Sequence, residues 1–209
     1  MGQRADSVTD LATSGDDAER DADPSYAYKP NLAGAPLMLW LRRDGLEWNT
    51  GRRSGLVRYD RIRRVRLSFR PATMQSYRFI AELWAPEAPK ILIASTSWQG
   101  ITMQQRLDAP YVAFISELHR RLAAVGSKAR FQIGMPSVAY WVGLVVVTAT
   151  TLSFVMLMIR AMQSDDWRAT AVVGAIFAVF VWQIGNFFIR NRPGFYRPEL
   201  IPPQVLPRT

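Results

Sequence analysis

The sequence contains no cysteine, and His119 is the only histidine among its 209 residues. The absence of cysteine excludes disulfides, thiolate zinc sites and cysteine nucleophiles. A single histidine leaves little from which to build a multi-histidine metal site or a Ser-His-Asp triad. We therefore expect a protein that is not an enzyme and that carries no metal and no cofactor, with His119 as an ordinary solvated helix residue.

Charge is missing from two long stretches in the C-terminal half of the chain. Residues 131–159 include no charged side chain over 29 positions, and residues 169–189 include none over 21. A helix needs about 20 residues to cross a hydrocarbon core of ~30 Å, and a helix buried in a soluble protein is rarely apolar on all sides. The sequence therefore predicts a transmembrane hairpin over residues 131–190, with spans at about 138–160 and 169–189.

The basic residues around the hairpin are concentrated on its terminal side. Residues 160–168, between the two spans, carry two arginines and two aspartates and have no net charge. The flanking cations are Arg120, Arg121, Lys128, Arg130, Arg190, Arg192 and Arg197. The positive-inside rule then predicts that both termini are cytoplasmic and that the loop lies outside. We expect a multi-pass protein of the cell (inner) membrane with two spans.

Positive charge is what the chain has in excess. It carries 26 lysines and arginines against 17 aspartates and glutamates, a balance that suggests an anionic partner. Residues 1–30 differ, with seven acidic and three basic side chains, and are expected to form a disordered acidic N-terminal tail. The strongest basic run is residues 51–70, GRRSGLVRYDRIRRVRLSFR, with eight arginines and only Asp60 as a counter-charge.

Residues 31–130 have the pattern of a small soluble domain. Short apolar or alternating runs predict strands at residues 37–41, 46–49, 56–59, 64–70, 77–84 and 90–96. The clearest alternation places Val65, Leu67 and Phe69 on one face and arginines on the other. A helix capped by Asp108 and ended by Gly126 is predicted to follow. Its apolar face consists of Tyr111, Phe114, Ile115, Leu118 and Leu122. We expect an α+β domain with a strongly bent antiparallel sheet or a small barrel.

This order of strands, followed by one amphipathic helix, resembles the bacterial membrane-associated pleckstrin-homology-like domains. The segments that carry the resemblance are LMLWLRRDGLEWNTG, LVRYDRIRRVRLSF, YRFIAELW, KILIAST and APYVAFISELHRRLAAVG. Within the second segment, Tyr59-Asp60-Arg61-Ile62 leads into a strand as in that family. The resemblance implies a small, partly open antiparallel barrel that is capped at one end by the C-terminal helix. It brings no catalytic residues, and it assigns no phosphoinositide ligand to named positions.

Small and polar residues of the second span are candidates for packing within the membrane. Gly174 and Ala178 form a small-xxx-small pair, and Gln183 and Asn186 lie three residues apart on one helix face. Such residues join helices, either the two spans of one chain or two chains. Residues 191–209 follow as a proline-rich cytoplasmic tail, which is predicted to be extended. Its apolar residues allow it to pack on the soluble domain or on another protein.

The candidate contact site consists of arginines in and around the basic strand. These arginines are Arg52, Arg53, Arg61, Arg63, Arg64, Arg66 and Arg70. Because the domain is tethered beside a bilayer, anionic lipid is the first partner expected, at about 1 kcal/mol for each nearby cation. A protein partner and a solvated or self-paired arginine face are the alternatives. Nucleic acid is not expected, since the strand offers few aromatic side chains for base stacking.

Two functions remain open at this point. The sequence favours a membrane-anchored, non-enzymatic binding or scaffold module whose basic domain contacts anionic lipid or a protein partner at the cytoplasmic face. The alternative is an accessory subunit of a larger membrane protein complex, with the spans and the proline-rich tail as its contact surfaces. The expected partners are therefore membrane lipids and either a membrane protein or a second copy of this chain.

Overall fold

The computed structural model of the chain describes residues 23–71, 77–100, 103–163 and 167–207. The strands are β1 Ser25–Tyr28, β2 Leu37–Leu41, β3 Gly45–Asn49, β4 Ser54–Arg58, β5 Arg64–Pro71, β6 Tyr77–Trp84, β7 Ile91–Ala94, β8 Thr96–Trp98, β9 Gln104–Arg106, β10 Arg130–Ile133 and β11 Gly194–Phe195. The helices are α1 Asp108–Ala124, α2 Ser137–Gln163 and α3 Trp167–Arg190. Most of the predicted acidic tail, residues 1–22, lies outside the described residues.

The described strands form three sheets. The first has the order β1-β2-β3-β4 and is antiparallel, and the third is the β8-β9 pair. The second has the order β11-β10-β5-β6-β7, in which β10 runs parallel to β5 and the other pairs are antiparallel. The α+β class is confirmed, while the described strands do not close into one barrel.

The alternation predicted for the basic strand is confirmed in β5. Val65, Leu67 and Phe69 are at most 3% exposed and enter the hydrophobic core. The predicted apolar face of α1 is buried in the same core. The cap differs from the prediction, because Leu107 occupies the N-cap position without a side-chain hydrogen bond. Asp108 is instead the first helical residue and pairs with Arg106.

The domain begins earlier than residue 31. β1 lies within the stretch predicted to be a disordered tail, and it pairs with β2 along its whole length. Tyr26 and Tyr28 are buried, and their hydroxyls donate hydrogen bonds to the carbonyl oxygens of Ala94 and Leu92. The two tyrosines alternate with small residues, so that one face of β1 is fully apolar and reaches the core.

The prediction that His119 is solvated is wrong. His119 is 1% exposed, and its Nδ1 lies 2.7 Å from the carbonyl oxygen of Ile115. The carbonyl can only accept, so Nδ1 carries the proton, and Nε2 accepts a hydrogen bond of 2.7 Å from the Tyr196 hydroxyl. The Phe131 ring packs against both, tilted relative to His119 and edge-on to Tyr196. Tyr196 belongs to the proline-rich tail, and Val205 of the same tail is also buried, so the tail packs on the soluble domain.

Helices α2 and α3 are long and apolar enough to cross a membrane. The most apolar 18-residue windows within Ser137–Gln163 and Thr170–Ile189 have mean hydropathies of 2.3 and 2.0, and neither window is buried inside the protein. The apolar surface of a soluble core helix would be covered, so this exposure distinguishes α2 and α3 from core helices. The hairpin begins later than predicted, since residues 131–133 belong to β10, whose backbone pairs with β5.

Both ends of the hairpin are joined directly to the domain through a contact that we call the clasp, formed by Gly134, Met135 and Asn191. The backbone N–H of Gly134 donates to Leu67 O at 2.8 Å, and that of Met135 donates to Asn191 O at 3.0 Å. Asn191 is 1% exposed. Gly134 has φ of +75°, and a Cβ built on it would lie 2.5 Å from the carbonyl oxygens of Asn191 and Arg192.

Substitution of Gly134 is expected to open the clasp. Gly126 is a matched control, because it also has a positive φ, of +60°, but a Cβ there meets nothing within 4 Å. Gly126→Ala is expected to cost about 1 kcal/mol of unfolding free energy from backbone strain alone. Gly134→Ala is expected to cost about 2 kcal/mol more, because its methyl group overlaps backbone atoms. Denaturant unfolding in mild detergent, followed by tryptophan fluorescence, measures both values, and equal losses would contradict the clasp.

The burial of His119 predicts a loss of stability in mild acid. Burial lowers the pKa of His119 from 6.5 to about 4, although the hydrogen bond to Ile115 opposes this shift. Below pH 6.5 the unfolded chain therefore takes up a proton that the folded chain does not. The resulting loss of unfolding free energy grows until about pH 4, where it reaches about 3 kcal/mol.

The variant His119→Gln cannot take up a proton in this pH range, and its side-chain amide can still form a hydrogen bond with the Tyr196 hydroxyl. Its unfolding free energy, measured from pH 7 to pH 4, is expected to fall by about 3 kcal/mol less than that of the parent protein. Parallel curves for the two proteins would show that His119 is not buried in its neutral form.

Candidate functional site

The candidate site is built on the solvent side of β5. Because successive side chains of a strand point to opposite faces, Arg64, Arg66 and Arg70 lie opposite the buried apolar residues. They are not equally solvated, since Arg70 is exposed whereas Arg64 and Arg66 are half-buried. The structure therefore brings three of the seven candidate arginines together on one face, and it gives two of them protein neighbours.

One buried carboxylate holds much of this face together. Glu82 lies directly opposite Arg66 in the β5–β6 register and is 1% exposed. Its carboxylate oxygens lie 3.7 Å from Arg66 Nη1, 3.5 Å from Arg70 Nη2 and 2.5 Å from Lys90 Nζ. A carboxylate that leaves water needs such partners, because an unpaired buried charge is strongly destabilising. The arginine face is thus partly self-paired.

An aromatic ring completes the arrangement, which we call the Glu82 cluster (Glu82, Trp84, Arg66, Arg70 and Lys90). The Trp84 ring centroid lies 5.1 Å from Arg66 Cζ and 5.1 Å from Lys90 Nζ. Each of these cations is within the range of a cation–π interaction. Burial lowers the pKa of Arg66, an effect that Glu82 opposes and that Arg64 and Arg70 reinforce. The positive charges of this face therefore exceed the single negative charge beside them.

Arg64 has a different environment from Arg66. Its Cζ lies 5.2 Å from the Trp84 centroid, and the two residues are register partners across β5 and β6. In the described ranges no carboxylate forms an ion pair with Arg64, whereas Arg66 contacts both Glu82 and the side-chain oxygen of Gln132, the latter at 3.2 Å. Arg64 is accordingly a cation whose charge the described part of the protein leaves unbalanced.

Arg64 and Arg66 also line a cleft where the domain meets the hairpin, which we call the junction cleft. Its volume is about 330 Å³. The lining is contributed by β5, β10, the start of α2 and the segment after α3: Arg64, Arg66, Gln132, Ile133, Met135, Pro136, Ser137, Val138, Pro193, Gly194 and Phe195. One wall is cationic and polar, and the other is mostly apolar.

The remaining candidate arginines lie apart from this cleft. Arg52 and Arg53 are exposed in the turn between β3 and β4, which belongs to the first sheet. Arg61 and Arg63 are exposed in the segment that leads into β5, and Arg61 lies 3.8 Å from Glu87. These four arginines are solvated surface cations, in contrast to the ordered ones beside Glu82.

A second cleft, of about 540 Å³, differs from the junction cleft in charge. Its charged lining residues are Arg43, Asp44, Arg58 and Asp60, so that the positive and negative side chains balance. Arg58 and Asp60 pair with each other at 3.1 Å. This cleft therefore offers no excess charge to an anion.

The predicted packing residues of α3 divide between two faces. A Cβ built on Gly174 lies 3.7 Å from Met158 Cε of α2, so Gly174 faces the other helix. Ala178, Gln183 and Asn186 are exposed on the outside of the hairpin. The contact between the helices is instead made by aromatic pairs, namely Phe154–Phe177, Phe154–Phe180 and Tyr140–Phe188.

Sequence reasoning missed Glu82, Trp84, Lys90 and Gln132. Only Glu82 could have been identified from the sequence. It is the only carboxylate in the largely apolar strand YRFIAELW, and a carboxylate in a buried strand needs a cation nearby. In the described parts of the chain, no group of three or more metal-ligating side chains is placed to hold an ion. Comparisons with protein-family models, with curated proteins and with solved structures found no match to this chain.

Removal of the Glu82 charge is expected to destabilise the domain. Glu82→Gln leaves three cations near one another without a counter-charge and is expected to cost about 2–3 kcal/mol of unfolding free energy. Glu87→Gln is the matched control, because Glu87 is 63% exposed and its pair with Arg61 is long. The control is expected to cost less than about 0.5 kcal/mol. Similar losses in the two variants would mean that Glu82 does not organise the arginine face.

Proposed function

We propose that this protein is a membrane-anchored, non-enzymatic binding module whose basic domain contacts anionic lipid at the cytoplasmic face. The observation that carries the proposal is the position of β5. Its arginines face a cleft whose other wall includes Ser137 and Val138, the first residues of α2. A cation held there lies at the level where an apolar helix would enter the bilayer, and therefore among lipid headgroups.

The clasp supports the same proposal. Since Met135 and Asn191 are hydrogen-bonded, the start of α2 and the end of α3 lie side by side, which supports the proposal that the chain enters and leaves the membrane on the same side. The positive-inside rule assigns this side to the cytoplasm. Tyr140 and Trp141 lie one turn into α2, and Trp167 begins α3 at the opposite end, as interfacial aromatic residues do.

The soluble part is proposed to be a pleckstrin-homology-like domain with additions. The strands β1–β4, β5–β7 and the β8–β9 pair all precede helix α1. A series of antiparallel strands followed by one helix is the order that the resemblance implies, although the resemblance suggested only about six strands. The strands β10 and β11 are added to the second sheet beside β5 and are not part of the order implied by the resemblance. In this proposal they connect a small binding domain to a membrane hairpin.

A second candidate function is an accessory subunit of a larger membrane complex. The specific observation in its favour is that Gln183 and Asn186 are exposed on the outside of α3. Polar side chains in a membrane usually face another helix, because hydrocarbon offers them no hydrogen-bond partner. A stoichiometric protein that co-purifies in mild detergent would favour this function.

The proposed lipid contact predicts a preference for anionic lipid that depends on charge. We expect the full-length protein in bilayer nanodiscs to immobilise spin-labelled phosphatidylglycerol in preference to spin-labelled phosphatidylcholine. The preference should weaken as salt rises, since exposed charges are screened over about 8 Å at physiological ionic strength. Electron paramagnetic resonance of the two labelled lipids measures the preference directly.

Matched variants separate charge from structure. Replacement of the exposed Arg52, Arg53, Arg61 and Arg63 by glutamine should reduce the preference, while replacement by lysine should retain it, because cations near the surface each contribute about 1 kcal/mol. Exposed positions such as these tolerate polar exchange. If the parent protein shows no preference for the anionic lipid, the lipid proposal fails and a protein partner becomes the better explanation.

A further inference from the structure

The junction cleft combines a cationic wall with an apolar wall. Its cationic wall is formed by Arg64 and Arg66, and its apolar wall includes Val138 and Phe195, which are each 78% exposed. Exposed apolar side chains that line a groove together mark a surface where an apolar ligand or partner can bind. The cleft therefore matches a ligand with a charged end and an apolar end.

The excess of positive charge around the cleft favours the binding of an anion. Arg66, Arg70 and Lys90 share the single carboxylate of Glu82, and Arg64 has no acidic partner in the described ranges. The Arg64 guanidinium lies over the Trp84 ring, with Cζ 5.2 Å from the ring centroid, and Gln132 contacts Arg66. Two ordered guanidinium groups are well suited to phosphate, whose oxygens accept paired hydrogen bonds.

The size and rigidity of the cleft limit what it accepts. Its volume of about 330 Å³ lies near the lower end of small-ligand sites, which span about 300–1,000 Å³. The cleft is also preformed, because β10 is hydrogen-bonded to β5 and the clasp holds the start of α2 against the end of α3. Preorganisation of this kind favours one specific ligand over a diffuse ion cloud.

We propose that the junction cleft binds the phosphate of a single anionic glycerophospholipid of the adjacent leaflet. Arg64 and Arg66 contact the phosphate, and the acyl chains lie along Val138 and Phe195. This inference rests on the proposed function and makes it specific: one ordered lipid occupies a defined site, distinct from the diffuse attraction exerted by the exposed arginines. Arg64 supplies the affinity because the protein itself leaves its charge unbalanced.

Native mass spectrometry of the full-length protein in a neutral detergent tests the site. We expect one added phosphatidylglycerol to be retained in 300 mM salt, with at least tenfold weaker retention of phosphatidylcholine. Arg64→Gln should weaken retention of phosphatidylglycerol about tenfold or more, because a charged hydrogen bond is lost. Arg64→Lys should restore part of it, and Arg58→Gln, which removes an exposed arginine paired with Asp60 in the second cleft, should leave it unchanged. Melting curves of each variant establish that the fold is retained.

The outcomes separate the site from the function on which it rests. Retention of phosphatidylglycerol by Arg64→Gln at the parent level overturns the site. A salt-sensitive preference for anionic lipid in nanodiscs, without a single retained lipid, overturns the site and leaves the proposed function intact. Absence of any anionic preference overturns both. If glycerol 3-phosphate competes as strongly as the diacyl lipid, the ligand is a soluble phosphate, and the lipid assignment is wrong.

Discussion

The parallel pairing of β10 with β5 is the interaction on which the rest of the arrangement depends. The register places Arg130 beside Arg64 and Ile133 beside Leu67, and the next residue, Gly134, donates to Leu67 O. Met135 then contacts Asn191, so the chain passes from sheet to helix without a free linker. A flexible connection would let the domain rotate relative to the two apolar helices. This connection fixes where β5 lies relative to α2 and α3.

The Glu82 cluster explains how so many arginines are accommodated on one strand. Like charges on alternate positions of a strand repel one another, and a buried carboxylate with a neighbouring indole compensates for that repulsion. Glu82 therefore orders Arg66, Arg70 and Lys90, but one negative charge does not neutralise three. The same face can therefore contain ion pairs that stabilise the fold and a cation that is available to an anion. Arg66 and Arg70 belong to the ion pairs, whereas Arg64 is the available cation.

The sequence predicted those features that depend on local periodicity. The alternation in β5, the apolar face of α1 and the two uncharged helices all follow from side-chain spacing within one element. It did not predict features that depend on distant partners. His119 looked like a solvated helix residue because its partner, Tyr196, lies 77 residues away. Likewise, Phe131 looked like the start of an uncharged span, since only the pairing of β10 with β5 reveals it as a strand. The seven arginines remain a prediction as a contact site, and their division between ordered and solvated members could not be predicted because it depends on Glu82 and Trp84 of another strand.

If the domain and the hairpin form one rigid unit, the distance between a spin label on each of them is fixed, and a measurement of that distance is a direct test. The chain has no native cysteine, so spin labels at Ser54→Cys and Met162→Cys report only on an exposed position of β4 and an exposed position near the end of α2. Pulsed electron paramagnetic resonance in nanodiscs measures the distribution of distances between the two labels. We expect one narrow distribution. A broad distribution would mean that the domain moves on a hinge relative to the hairpin and that the two do not form a rigid unit.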